Sequence, residues 1–147
     1  MELVTKYFSN MEYDDNDVLL FKTGIFGFEK YKKFILIRFD NSTNSFICLQ
    51  SIDDADIAFV MINPSNLIPD YEITLEDADV QDLDLQDIQK LAVYNICVLR
   101  DDVPKSTVNL RCPVIVNTDN GLAKQIILEN SDYPFKYPFQ KLINKEG

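Results

Sequence analysis

The sequence predicts a mainly β protein: a compact, antiparallel β-barrel-like single domain over residues 1–147, with a short helical insertion around residues 76–89. Three observations lead there. Short runs rich in Ile, Val, Phe and Tyr recur along the chain, as half-buried strands require. Polar breaks separate them, with no long helix alternating with strand, which disfavours a parallel α/β sheet. One stretch alone changes to helical spacing. Nine or so short strands of this kind suit a closed or nearly closed barrel.

The runs fall in order at Leu3–Phe8, Val18–Phe21, Phe34–Phe39, Phe46–Leu49, Ala58–Ile62 and Leu91–Leu99, then Thr107–Arg111, Val114–Asn117 and Lys124–Leu128. The breaks include Asp40 to Asn44, Ile52-Asp53-Asp54 and Asp101 to Pro104. Thr118-Asp119-Asn120-Gly121 joins the last two runs, and Asn-Gly is the strongest short hairpin signal. From Leu75 to Gln89, Val80, Leu83, Leu85 and Ile88 recur at helical spacing among aspartates that favour first turns. The tail from Tyr133 mixes aromatics, prolines and lysines and is expected to pack or fray at the edge.

The glycine-poor chain sets two of its four glycines, Gly24 and Gly27, three apart among apolar residues. The spacing is neither GxGxxG nor a P-loop, and no Lys-Ser/Thr follows. The stretch reads as a tight turn between Val18–Phe21 and Phe34–Phe39, the glycines permitting backbone angles other residues resist. Phe28 is expected to turn inward as a plug, with Ile25 and Phe26 nearer the surface.

Composition narrows the function. The formal net charge is -10, which repels phosphates and disfavours direct nucleic-acid binding. The acids are unevenly spread: Phe39 to Gln89 holds twelve Asp and Glu and no Lys or Arg. That span reads either as a solvated face or as a docking surface for a basic partner. The absence of histidine removes the usual general base and the commonest metal ligand. Cys48, Cys97 and Cys112 form no CxxC pair, and Cys48 and Cys97 sit in strand-like runs as small buried hydrophobes. Acids between Asp77 and Ile88 echo a calcium loop but lack its central Gly and final Glu. No residue is assigned to catalysis, a cofactor or a metal, and the protein is read as a non-enzyme. The N-terminus carries no signal-peptide pattern and no run is long enough to span a bilayer, so the expected location is cytoplasmic, away from the membrane.

Four blocks in order carry a resemblance. GIFGFE (24–29) resembles the GIPGFE signature of the flagellar assembly factor FliW family. LQSIDDADIAFVMINP (49–64), PDYEITL (69–75), and TVNLRCPVIVNT with KQIIL and SDY (107–133) resemble its further blocks, with matching spacing over nearly the whole chain. Phe26 stands where the family usually has Pro, which would preset φ at that turn position. The resemblance implies a compact antiparallel barrel and a cytoplasmic flagellar assembly factor with two partners. These are flagellin and the basic translational regulator CsrA, whose repression of flagellin synthesis it would relieve. The candidate partner-binding residues are Asp70 and Glu72 for CsrA; Ile62, Pro64, Leu67, Ile68 and Tyr71 for flagellin; and Phe26 for any local contact at the turn. The alternative is a small-molecule-binding β-barrel without enzymatic activity, which needs a cavity lined by inward residues.

Overall fold

The computed structural model describes residues 1–39, 46–64 and 68–139, apart from the side chain of Val103. The polar break at Asp40 to Asn44 and the candidate Leu67 lie outside the described residues. The strands are β1 (Glu2–Leu3), β2 (Met11–Glu12), β3 (Val18–Phe21), β4 (Lys33–Arg38), β5 (Phe46–Ser51), β6 (Ala58–Ile62), β7 (Leu91–Val98), β8 (Thr107–Val108), β9 (Val114–Asn117), β10 (Leu122–Gln125) and β11 (Tyr137–Pro138). Helix α1 spans Asp77–Asp82, and a 3-10 turn covers Ile88–Lys90.

The sheet runs β7-β6-β5-β4-β3-β10-β9 and closes because β9 also pairs with the first half of β7. β8 and β11 extend from the other half of β7, so this strand serves two neighbours along one edge. All pairs are antiparallel except the seam between β3 and β10, which is parallel. The antiparallel barrel expected from sequence therefore stands, with one parallel seam that no local signal marks.

Alternate residues of every barrel strand meet inside. Phe21, Phe34, Leu49, Met61, Val114 and Val116 form the buried centre, with Ala92, Tyr94 and Ile96 partly buried against it. The opposite faces are apolar as well, because two segments cover the barrel from outside. Leu3, with Phe8, Met11 and Tyr13, packs over Ile35, Ile37 and Cys48. Leu83 and Leu85, with Ile73, Leu75 and Val80, pack over Ile115, Ile126 and Leu91. This double coverage explains why β9 is buried at all four positions instead of alternating.

Two strand expectations shorten, and a third, Lys124–Leu128, shifts to Leu122–Gln125, for identifiable reasons. Beyond Leu3, Thr5 Oγ1 accepts the Phe8 N–H, and this local turn ends β1 before Phe8. After Val108, Asn109 Oδ1 accepts the N–H groups of Arg111 and Cys112, an Asx turn that ends β8. The run at Lys124–Leu128 keeps bonding to its neighbour, with Ile126 N–H on Pro113 O (3.0 Å) and Leu128 N–H on Arg111 O (2.8 Å). Pro113 has no N–H to return, so the regular ladder stops at Gln125. The hairpin at Thr118–Gly121 forms as its sequence indicates, with Gly121 at φ 75°.

The turn at residues 24–28 is tight but arranged differently from expectation. Phe28 N–H bonds Ile25 O at 2.7 Å, with Gly24 at φ 73° and Gly27 at φ 87°. Ile25, only 2% exposed, is the plug, whereas Phe28 stands 38% exposed with its ring edge-on to Phe59. Two left-handed glycines reverse the backbone just before Ile25 and just before Phe28, so the inward and outward assignment read from spacing is exchanged. Phe26 projects outward, as expected.

Candidate functional site

The candidate residues gather around the segment that follows β6. Pro69 and Asp70 form a turn, with the Tyr71 N–H on Ile68 O (3.0 Å), and residues 71–76 then cross the outside of the barrel without regular structure before Asp79 Oδ2 accepts the Glu76 N–H at the start of α1. Tyr133 anchors this crossing. Its hydroxyl donates to Asp70 O (3.3 Å) and accepts the Glu72 N–H (2.9 Å). The backbone is thus tied down while the side chains of Asp70 and Glu72 are exposed.

Tyr71 lies between them, half-buried, its ring 4.7 Å from that of Tyr133. Its hydroxyl donates to Leu110 O (2.6 Å) and accepts from Asn95 Nδ2 (3.1 Å). Burial, outweighing the Asn95 hydrogen bond, pushes the Tyr71 hydroxyl up to about 12. Ile62 and Ile68 pack in the same cluster beneath it, with Cys97, Val108, Leu110 and Phe139, so they support the surface without forming it. The tail is packed here as far as Phe139, consistent with an edge that docks. Pro64 is also buried but lines a depression at the surface.

Two depressions flank the crossing. One, of about 410 Å³, lies between Tyr71 and Ile73 on one wall and Leu91 to Tyr94 on the other, with Asn63 and Pro64 at its end. The second, of about 470 Å³, lies between Glu72, Thr74 and Glu76 and the continuation of β10, with Phe26 at its end. The structure thus brings Tyr71 and Pro64 together at one groove and Glu72 and Phe26 at the other. Both grooves are outside the barrel; the inward positions are filled by the side chains of the central cluster.

Helix α1 closes the second groove through a three-residue ion pair. Lys124 Nζ stands 2.7 Å from Asp79 Oδ1 and 2.7 Å from Asp82 Oδ2. Burial pulls the Lys124 ammonium down, but the hydrogen bonds and charges of the two aspartates outweigh it and hold it above its ordinary value. The helix C-terminus is tied to the β9–β10 hairpin, whose Asn117 and Asn120 amides both donate to Leu83 O. Apart from buried Asp79, the acids from Asp70 to Asp87 are exposed. Cys48 and Cys97 are buried, and burial pushes their thiols up to about 11 and about 12, so they are inert packing residues as expected.

Lys124, Gln125, Ile127 and Tyr133 belong to the site, although the sequence marked them only as part of a strand-like run and of the blocks that resemble the family, not as candidate binding residues. The signal present was the apolar Ile127, which is 46% exposed while Ile126 and Leu128 are buried.

The molecule is thus a closed seven-stranded barrel whose distinguishing features lie on its outer layer: an acidic crossing segment with a groove on either side. The model of the FliW family, described as "FliW protein", matches residues 2–139, and the chain belongs to that family. It is 40% identical over 138 residues to the flagellar assembly factor FliW of Thermoanaerobacter pseudethanolicus, covering 94% of this chain and 92% of that one. It is 39% identical over 141 residues to the flagellar assembly factor FliW of Clostridium botulinum strain Langeland, covering 96% and 98%. A crystal structure of a flagellar assembly factor FliW superposes with a TM-score of 0.88 at 34% identity, covering 94% of this chain and 96% of that one.

Proposed function

We propose that this chain is a cytoplasmic flagellar assembly factor that binds flagellin and, alternately, binds and antagonises CsrA, relieving repression of flagellin synthesis. The observation that carries the reading is the exposed run of carboxylates at Asp70, Glu72, Glu76, Asp77, Asp82, Asp84 and Asp87. An RNA-binding regulator keeps a positive surface for phosphates; a partner of formal charge -10 held beside it lowers that potential and repels RNA without covering the RNA site. The groove beside Tyr71 offers the apolar contacts an amphipathic flagellin segment needs, with Tyr71, Pro64, Ile73, Leu91 and Tyr94 along it. Ile62 and Ile68 act by holding that wall in place.

A competition pull-down tests the switch. The chain is loaded with purified CsrA and titrated with flagellin; progressive release of CsrA is the expected result, and retention of CsrA at saturating flagellin overturns the reading. Converting Asp70 and Glu72 to Lys should weaken CsrA capture more at low salt than at high salt, because exposed charges are screened beyond about 10 Å at 0.1 M. Unchanged capture at both salt levels would reduce the acidic face to solvation.

A further inference from the structure

The groove between residues 72–76 and the continuation of β10 has unfinished backbone on both walls. On one wall, Ile126 and Leu128 give their N–H groups to Pro113 and Arg111 on the β9 side, so the alternation of an extended chain turns Ile127 N–H to the opposite edge. Among the described residues nothing accepts from it. β3 would have covered this edge, but it ends at Phe21 and the chain leaves at Gly24, so the parallel pairing reaches only Ala123. On the other wall, Glu72 and Glu76 have their N–H groups bonded, to Tyr133 and Asp79, whereas Ile73, Thr74 and Leu75 make no backbone hydrogen bond through theirs among the described residues. Side chains define what would enter. Phe26 and Ile127 are each about half exposed in the groove, at 48% and 46%. Glu72, Glu76 and Glu129 rim it and form no ion pair among the described residues, while the one lysine there, Lys124, is already engaged by Asp79 and Asp82.

We infer that this groove is a strand-accepting slot: an extended segment of another protein, with basic and apolar residues alternating, adds beside Gln125–Ile127 and takes up the open backbone. Main-chain pairing supplies affinity, and alternate side chains supply selection, apolar ones meeting Phe26 and Ile127 and basic ones meeting the three glutamates. The inference concerns the groove opposite the one assigned to flagellin and requires neither flagellin nor CsrA, while Glu72 and Glu76 on its rim also belong to the acidic face read above as the CsrA surface.

The test uses the full-length chain labelled with ¹⁵N and an acetylated hexapeptide alternating lysine and valine. Three comparison peptides accompany it: lysine only, glutamate alternating with valine, and the lysine–valine peptide with N-methylated valines. The expected result is binding of the first peptide about tenfold tighter than any of the others, with shifts centred on Phe26, Thr74 and Ile127 and roughly tenfold slower hydrogen exchange at the Ile127 amide. Glu72→Lys with Glu129→Lys, both exposed positions, should weaken it by about tenfold or more at low salt. Equal binding of the lysine-only or N-methylated peptide would mean a charge film and not an added strand, and overturns the inference. So does unchanged exchange at Ile127, or shifts confined to another surface. Neither CsrA nor flagellin is present, so this outcome and that of the pull-down are independent.

Discussion

The backbone N–H of Phe26 donates to Oε1 of Gln125, 3.0 Å away, so the turn at 24–28 is pinned to the barrel by a residue 99 positions later in the chain. Gln125 is 6% exposed, and its Nε2 donates to Cys112 O at 3.3 Å. A proline at this position has no N–H to give. The same substitution that departs from the family's usual GIPGFE therefore creates a bond that the family's version of the turn lacks.

Phe26→Pro accordingly carries opposing effects. Gly27 at φ 87° occupies the third position of the turn, and Pro suits the second. Reduced unfolded-state entropy contributes about 0.4–1 kcal/mol, whereas a buried acceptor without its donor costs about 1–3 kcal/mol. A net loss of about 1 kcal/mol is expected in urea unfolding. Phe26→Ala keeps the N–H and should retain the bond. A double-mutant cycle with Gln125→Leu should show coupling for Phe26→Pro and none for Phe26→Ala.

The two glycines of the same turn should differ sharply. A Cβ on Gly24 would stand 2.6 Å from Glu29 Cα, backbone that cannot move aside, and φ is +73°. A Cβ on Gly27 meets nothing within 4 Å and faces only the strain of φ +87°. Gly27→Ala should cost about 1–2 kcal/mol, and Gly24→Ala clearly more, by thermal or urea denaturation.

The clamp on α1 should be unequal in its two arms. Asp79 has a side chain 10% exposed and Asp82 one 49% exposed, against the same Lys124. Lys124→Met strands a buried carboxylate and should cost about 2 kcal/mol, between the values for exposed and fully buried pairs. Asp82→Asn should cost less than about 1 kcal/mol. Urea midpoints of the two variants give the ranking, and equal losses would contradict it.

Alkali should weaken the fold in a defined window. Burial raises Cys48 and Cys97 from 9.0 to about 11 and about 12, and raises Tyr71 from 10.0 to about 12. Each group is neutral while protonated. Between its unfolded and folded values the unfolded chain has released the proton and the folded chain retains it, so stability falls as pH rises. Lys124, also held above its ordinary value, acts in the same direction. Melting temperature followed from about pH 8 to about pH 12 should fall, and Tyr71→Phe should flatten the decline above about pH 10. An unchanged slope would remove Tyr71 from the account.

Legibility in the sequence follows the range of the deciding interaction. Val18–Phe21, Ala58–Ile62 and Val114–Asn117 match β3, β6 and β9 to the residue, because each is an apolar run bounded by its own turn residues. The end of β10 was misplaced because it depends on Pro113, a residue of the neighbouring strand. At the site, Asp70 and Glu72 were legible as exposed charge. Tyr71 was legible as an aromatic next to them, but its hydroxyl is committed to Leu110 and Asn95, contacts 39 and 24 residues away that no local pattern reports. Leu67 remains a sequence expectation.

By itself, the sequence determined the mainly β class, most strand centres, the Asn-Gly hairpin, the helical insertion, the acidic span and the family resemblance. All of these depend on residues within a few positions of one another. The tertiary structure alone decided the parallel seam between β3 and β10, the exchange of Ile25 and Phe28 between inside and outside, and the two grooves flanking residues 70–76. Each of these is set by which distant backbone groups find partners when the barrel closes, and by those, such as Ile127 N–H, that find none among the described residues.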